Sequence, residues 1–267
     1  MDEFYDWQIP GTWVEIYDEI FLPAFIGDWA ARLADRASLQ PGQLALDVAC
    51  GSGAWTLCAA ARVAPGGQVI GLDINTDMLA AARRKQTGPD AAPVEWREGS
   101  ADALPFADAA FHAVCCQLGM MFFPDCAVAL REMRRVLVPG GRFVTMVWGR
   151  MEQSPGQAAV AAAWVRQFGE DAAAGFRRQH SLADVAAMRD RLVAAGFTEI
   201  NVEWEMVEVR FPTPAHLVRS YAAMSGLQVA PAVAEALIAD VSATLAHYTG
   251  ADGLVYPIEA VVATARR

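Results

Sequence analysis

A five-residue apolar run, Leu44 to Val48, gives way to Ala49-Cys-Gly-Ser-Gly53 and then at once to a helical pattern from Ala54 to Val63. Few architectures accept that order. Small residues at 49, 51 and 53 permit a sharp turn and let another group approach the backbone, and the helix that follows starts with unpaired N–H donors. Ala64-Pro-Gly-Gly67 closes the helix, and Gln68 to Asp73 reads as a second strand. The result is a strand, helix, strand unit of parallel-sheet type.

The alternation continues with a helix at Thr76 to Gln86, strands at Val94 to Arg97 and Phe111 to Gln117, and a helix at Pro124 to Leu137. A Pro139-Gly-Gly141 turn then leads into a strand at Arg142 to Trp148. This pattern predicts an α/β, Rossmann-like, doubly wound and mostly parallel sheet. Beyond Gly149 the reading is a helix at Gly156 to Phe168, a linker near Gly175 and a helix at Leu182 to Ala195. Glu199 to Trp204 and Val207 to Phe211 read as a pair of antiparallel edge strands, and two helices fill Pro214 to His247. Ahead of the first strand, Phe4, Tyr5, Trp7, Trp13, Tyr17, Phe21, Phe25 and Trp29 sit among helix formers, with a helix expected at about Pro23 to Ala37. Such aromatics suit either a core or a mobile cover over a site. The expected division is a helical lid over 1–43, a core over 44–150, and a part over 151–267 that completes the sheet near 199–211 and covers a substrate.

Composition narrows the partners. The formal charge is −10 with one lysine, Lys85, so the positive face that a nucleic acid requires is not expected. The longest apolar run noted, Ala158 to Val165, is far below the roughly 20 residues of a membrane span. An acidic Met1-Asp-Glu3 start and five cysteines, two of them the neighbours Cys115 and Cys116, point to the cytoplasm and to reduced, buried thiols. No metal spacing occurs among the cysteines and four histidines, so no metal is expected.

Asp73 follows Asp47 by 26 residues and ends the second strand, where a carboxylate can accept both hydroxyls of a ribose. Asp102, in Gly99-Ser-Ala-Asp-Ala-Leu-Pro-Phe106, lies in the loop after the third strand. All three acidic loops fall at carboxyl ends of strands, where open α/β sheets bind ligands.

On these residues the chain resembles the class I S-adenosylmethionine-dependent methyltransferases, and among them the ubiquinone and menaquinone biosynthesis C-methyltransferase group (methyltransferase type 11). The matching segments are Leu46-Asp-Val-Ala-Cys-Gly-Ser-Gly53, Gly71-Leu-Asp-Ile-Asn-Thr-Asp-Met-Leu79, Ala101-Asp-Ala-Leu-Pro-Phe106, Cys116-Gln-Leu-Gly-Met-Met-Phe-Phe-Pro-Asp125 and Leu130 to Gly141. The resemblance implies a seven-stranded sheet with an antiparallel edge strand, and a cofactor site of S-adenosyl-L-methionine, leaving S-adenosyl-L-homocysteine as product. It implies that Ala49, Gly51 and Gly53 line the methionine portion beside Asp47. Asp73 would hold the ribose diol, and Ile74 and Met78 would pack on adenine. Asp102 would accept from the adenine amino group, with Ala101 giving a backbone contact, and Gln117 and Leu118 would border the reacting methyl. Tyr17 matches a tyrosine that closes over the cofactor in similar proteins. Ala49, where relatives have glycine, and His112, where they have aspartate, depart from the pattern.

The expected acceptor is a small organic molecule, aromatic or isoprenoid-like. His180, His216, His247 and Tyr248 are candidate bases, yet sequence places none of them at the methyl, so no catalytic residue is assigned. Met120, Met121, Phe122 and Phe123 are equally compatible with a substrate pocket and a core. An NAD(P)-dependent oxidoreductase is the rival enzyme, disfavoured because Thr56 stands where the dinucleotide fingerprint wants Gly or Ala. A protein that binds S-adenosylmethionine without methyl transfer is the rival of another class. A monomer and a homodimer are equally compatible with the sequence.

Overall fold

The computed structural model describes residues 9–267, so Phe4, Tyr5, Trp7 and the acidic start lie outside the described residues. In chain order the strands are β1 (Leu44–Val48), β2 (Gln68–Asp73), β3 (Val94–Glu98), β4 (Phe111–Gln117), β5 (Leu137–Trp148), β6 (Thr198–Phe211), β7 (Thr249–Gly250) and β8 (Gly253–Arg266). The α-helices are α1 (Trp13–Ile16), α2 (Gly27–Arg36), α3 (Ala54–Val63), α4 (Thr76–Arg84), α5 (Cys126–Val136), α6 (Pro155–Phe168), α7 (Ala174–Gln179), α8 (Val185–Ala194), α9 (Pro214–Met224) and α10 (Pro231–Thr244). Sheet order is β3-β2-β1-β4-β5-β8-β6, with β7 paired to β8 outside this path. The pairs among β1 to β5 are parallel, and β8 runs antiparallel to β5 with Thr145 opposite Ala263.

The chain forms two compact units. One holds the segment up to Phe25, residues 149–180 and residues 206–259; the other holds residues 26–148, 181–205 and 260–267. In the second unit β1 is flanked by β2 and β4, and Ala45, Leu46, Val114, Cys115, Phe143 and Val144 are fully buried. Burial on both faces is why these strands read as near-continuous apolar runs. Arg36 ties α2 to β6 through Glu203 at 2.8 Å and through Glu205.

The first unit is built around aromatic rings. Phe21 meets Phe25, Phe211 and Tyr221 edge-on, with centroids 5.9, 6.1 and 5.1 Å apart, and Phe176 meets Trp164 and Tyr221 at 5.3 Å each. Such contacts add to the area these rings bury. Phe21, Phe25 and, in the other unit, Trp29 are therefore core residues, whereas Trp13 is exposed and Tyr17 half-buried.

Several expectations are corrected. The two edge strands at 199–204 and 207–211 are one strand, β6. Its buried positions jump from Val202 to Val207 before resuming at Val209 and Phe211, and that break in the period of two imitates a turn. The final strand β8 is absent from the sequence reading, because its 258–263 stretch is buried without alternation and Pro257 argues against a strand. Pro257 falls outside the Ala260–Arg266 register that pairs with β5. The antiparallel strand accordingly lies between β5 and β6 and not at the edge. The expected helix at 23–37 is instead a π-helical stretch, Tyr17–Ile26, that contains Pro23, followed by α2. Proline lacks the N–H that an α-helical ladder needs, and a π-type turn accommodates it. The linker near Gly175 is helical, as α7.

Candidate functional site

The sheet order reverses between β1 and β4, the point at which open α/β sheets form a ligand crevice. Asp47 stands near the carboxyl end of β1, opposite Gly71 on one side and Cys115 on the other. Its carboxyl is 1% exposed; Oδ2 accepts from Thr56 Oγ1 at 2.6 Å, and Oδ1 has no partner. Gln117 ends β4, donating from Nε2 to the Ile26 carbonyl at 2.9 Å, while its buried Oε1 is likewise unpartnered. Two buried acceptors without donors thus occupy neighbouring strand ends. Each costs about 1–3 kcal/mol unless a donor arrives.

Burial pushes the Asp47 carboxyl up from 3.8 to about 7, with Asp73 adding to the rise and the Thr56 hydroxyl opposing it. The folded protein therefore holds a proton that the unfolded chain gives up near 3.8. The associated stability is complete below that pH and is lost as pH rises through about 7. Asp47→Asn cannot ionise. Relative to it, the wild type is expected to lose a few kcal/mol between pH 5 and pH 8, roughly 1.4 kcal/mol per pH unit in the window. Denaturant midpoints of both proteins at the two pH values check this; parallel pH dependence would refute it.

The glycine loop is held from the β2 side. Asp73, 8% exposed, accepts from Gly51 N at 2.7 Å and from Asn75 N at 2.8 Å, one bond to each oxygen. A carboxylate has about four lone-pair sites, so acceptor capacity remains. Burial raises the Asp73 carboxyl, and the backbone donors of Asn75, Gly51 and Ile74 oppose that rise. Ile74 is 71% exposed, an unusual position for a large aliphatic residue, while Met78 is buried. The cap of α4 is Asn75, accepting from Asp77 N and Met78 N. Gly99 N donates to the Asp73 carbonyl at 3.1 Å, which ties the 99–102 loop to the same strand end; Ala101 is buried there and Asp102 exposed.

Backbone strain concentrates here. Gly51 and Gly53 have φ +55° and +90°, but Ala49 at +58° and Leu118 at +56° are non-glycine residues in the left-handed region. A Cβ placed on Gly119 would lie 2.6 Å from Ala49 Cβ, so the loops after β1 and β4 meet through glycine. Ala49→Gly is expected to raise the unfolding free energy by about 0.5–1 kcal/mol by removing the left-handed penalty. Urea unfolding measures it directly.

Eleven of the expected residues, Asp47, Ala49, Gly51, Gly53, Asp73, Ile74, Met78, Ala101, Asp102, Gln117 and Leu118, belong to the second unit, and Tyr17 belongs to the first. Sequence reasoning missed Thr56, whose hydroxyl holds Asp47, and Trp96 of β3, whose ring fills the space beside Gly53 and Gly71. It also missed Lys85, which donates to Ser52 of the loop at 2.9 Å. Met120 and Met121 are buried core residues, whereas Phe122 is 48% exposed. His112 is exposed and accepts from Leu44 N at 3.1 Å. Among the described residues, no helix is long and apolar enough to cross a membrane.

The profile of a family described as the ubiE/COQ5 methyltransferase family matches residues 25–169. A demethylmenaquinone methyltransferase of Geobacillus sp. is 37% identical over 118 residues, 44% of this chain and 50% of that protein. The chain spans about half the length of the curated relatives it matches. Among solved structures, a Haemonchus contortus phosphoethanolamine N-methyltransferase 2 in complex with S-adenosylhomocysteine superposes with a TM-score of 0.59 at 20% identity, covering 95% of this chain and 56% of that one. The [4+2]-cyclase SpnF gives 0.53 at 22% identity, covering 90% of this chain and 81% of that one. These two likenesses show a shared fold, and the cyclase among them shows that the fold also carries other chemistry.

Proposed function

The chain belongs to the ubiE/COQ5 methyltransferase family, and from that premise we propose that it transfers a methyl group from S-adenosylmethionine to a small organic acceptor, aromatic or isoprenoid-like. The observation that carries the reading is the pair of orphaned acceptors, Asp47 Oδ1 and Gln117 Oε1, at the β1/β4 switch point. An ammonium group such as that of the cofactor's methionine portion supplies the donors both atoms lack, and its positive charge favours the ionised Asp47.

The cofactor, when bound, supplies a methyl carbon already activated by a sulfonium sulfur. Asp73 accepts the ribose hydroxyls through its spare lone pairs while its bonds to Gly51 and Asn75 keep the loop in place. Ile74 and Met78 offer an apolar face to adenine, and Asp102 and Ala101 meet its edge. Ala49, Gly51 and Gly53 allow close approach, and Gln117 and Leu118 border the methionine end. The chain's contribution to the displacement is alignment and exclusion of water, with no covalent nucleophile. Residues 44–150 carry the cofactor in this proposal, and Tyr17 enters no step of it.

The demethylmenaquinone methyltransferases among the relatives support a quinol-like acceptor. Five free cysteines, all buried or partly buried, support a cytoplasmic setting. Incubation with methyl-labelled S-adenosylmethionine and a panel of 1,4-naphthohydroquinone, phenols and small amines tests the reading. Label in an acceptor is expected. Label that stays on the cofactor with every acceptor favours a binding protein without methyl transfer.

A further inference from the structure

Ala49, Gly51 and Gly53 all have left-handed φ values, +58°, +55° and +90°, within one short loop. A backbone of that kind keeps a single shape only where its surroundings fix it. Asp73 fixes Gly51 through its N–H at 2.7 Å, and the Trp96 ring fills the space beside Gly53. Between them stands Ser52, 1% exposed, whose hydroxyl is cut off from bulk water and finds its partners within the protein. Lys85 Nζ donates to Ser52 Oγ at 2.9 Å, from 33 residues further along the chain.

The end of α4 places Lys85 for this contact. Lys85 is the C-cap residue, its N–H donating to the Ala82 carbonyl at 3.1 Å, and a cation is favoured at that negative end of the helix. Arg83, in the last turn, donates to the Trp96 carbonyl at 3.3 Å and so ties the end of α4 to the strand whose indole meets Gly53. The segment from Asp73 to Lys85 thus grips the loop twice, with a carboxylate on Gly51 N and an ammonium on Ser52 Oγ. Every one of these residues belongs to the second unit. Lys85 is the one lysine of the chain and is half-buried. A lysine on a protein surface ordinarily keeps its ammonium in water, and this one turns it onto a buried hydroxyl.

Resting on the methyltransferase reading, we propose that Lys85 is a positioning residue for S-adenosylmethionine: acting through Ser52, it holds the glycine loop in the shape that receives the methionine portion. Without the ammonium, Gly51 and Gly53 keep their own anchors and the residue between them loses one. The loop then populates other backbone shapes, and the cofactor has to reorder it on binding. A bond of purely structural value behaves differently. Its loss lowers the stability of the chain and leaves the affinity of an unchanged loop where it was.

Isothermal titration with S-adenosylhomocysteine on the full chain separates the two, using Lys85→Met, Lys85→Arg, Ser52→Ala and the Lys85→Met/Ser52→Ala double variant. Lys85→Met is expected to bind about tenfold more weakly, the worth of one charge-assisted hydrogen bond. Lys85→Arg keeps a cationic donor and is expected to recover most of that loss. Ser52→Ala should weaken binding by a similar factor, and the double variant no further than either single one, because all three remove the same interaction. Melting temperatures without ligand are expected to stay within about 2 °C of the wild type. Because lysine occurs once, a carbon-13 label at lysine Cε gives a single NMR signal for Lys85. That signal is expected to move in unliganded Ser52→Ala and on adding S-adenosylhomocysteine to the wild type. Equal affinity in wild type and Lys85→Met, losses that multiply in the double variant, or a lysine signal indifferent to Ser52→Ala overturns the assignment and leaves the methyltransferase reading intact. A wild type that binds neither S-adenosylmethionine nor S-adenosylhomocysteine overturns both.

Discussion

Asp73→Asn is expected to weaken S-adenosylhomocysteine binding by about 100-fold, since two charge-assisted hydrogen bonds at roughly 1.5 kcal/mol each are lost or downgraded. The carboxylate does two things at once. It accepts the N–H groups of Gly51 and Asn75, which join the glycine loop to the start of α4, and it retains lone pairs for a diol. An amide can present only one acceptor oxygen, so one of those N–H groups faces an NH₂ group in the variant. Isothermal titration of both proteins reads the effect, and affinities within threefold of each other would remove Asp73 from the site.

Gly53→Ala is expected to cost about 3 kcal/mol of stability and with it most cofactor binding. Gly53 has φ +90°, where an L side chain is strained, and its added methyl would overlap the Trp96 ring. Backbone strain of about 1–2 kcal/mol and overpacking of about 1–3 kcal/mol combine to that figure. Combining the substitution with Trp96→Leu distinguishes the two parts, because the smaller side chain relieves the overlap and leaves the backbone unchanged. Partial recovery of the denaturant midpoint in the double variant is the expected outcome. A single variant as stable as the wild type would contradict the packing described for this loop.

How far the sequence discloses such features depends on the range of the forces involved. The strands β1, β2 and β4 are legible because each is a short apolar run beside a turn signal, and the bounds at 44–48, 68–73 and 111–117 are those of the structure. Asp47 and Asp73 are legible as candidate site residues because strand ends determine where side chains in a parallel sheet can meet a ligand. What holds them is not legible. Thr56 reaches Asp47 from across the glycine turn, and Asp73 takes the Gly51 N–H 22 residues away, both products of tertiary packing. Trp96 packs beside Gly53 only because β3 adds to β2, with Trp96 opposite Gly71. The single strand β6 was obscured by a local loss of period, and β8 by burial on both faces, conditions under which periodicity carries no information. His180 is indistinguishable in the sequence from the other candidate bases, and only the fold brings its Nδ1 to the Gly149 carbonyl, 31 residues distant.

Thermal unfolding with S-adenosylmethionine, S-adenosylhomocysteine and NADPH, on wild type and Asp73→Asn, tests the central claim most directly. A ligand at 100 times its dissociation constant adds about 2.7 kcal/mol of stability. In a domain of this size that is a rise of roughly 5–10 °C. That rise is expected for the wild type with the methyl donor and its product, little or none with NADPH, and no more than about 1 °C for Asp73→Asn, whose 100-fold weaker binding leaves about 0.4 kcal/mol at the same concentrations. A rise with NADPH alone, or none with either sulfur ligand at millimolar concentration, would contradict it.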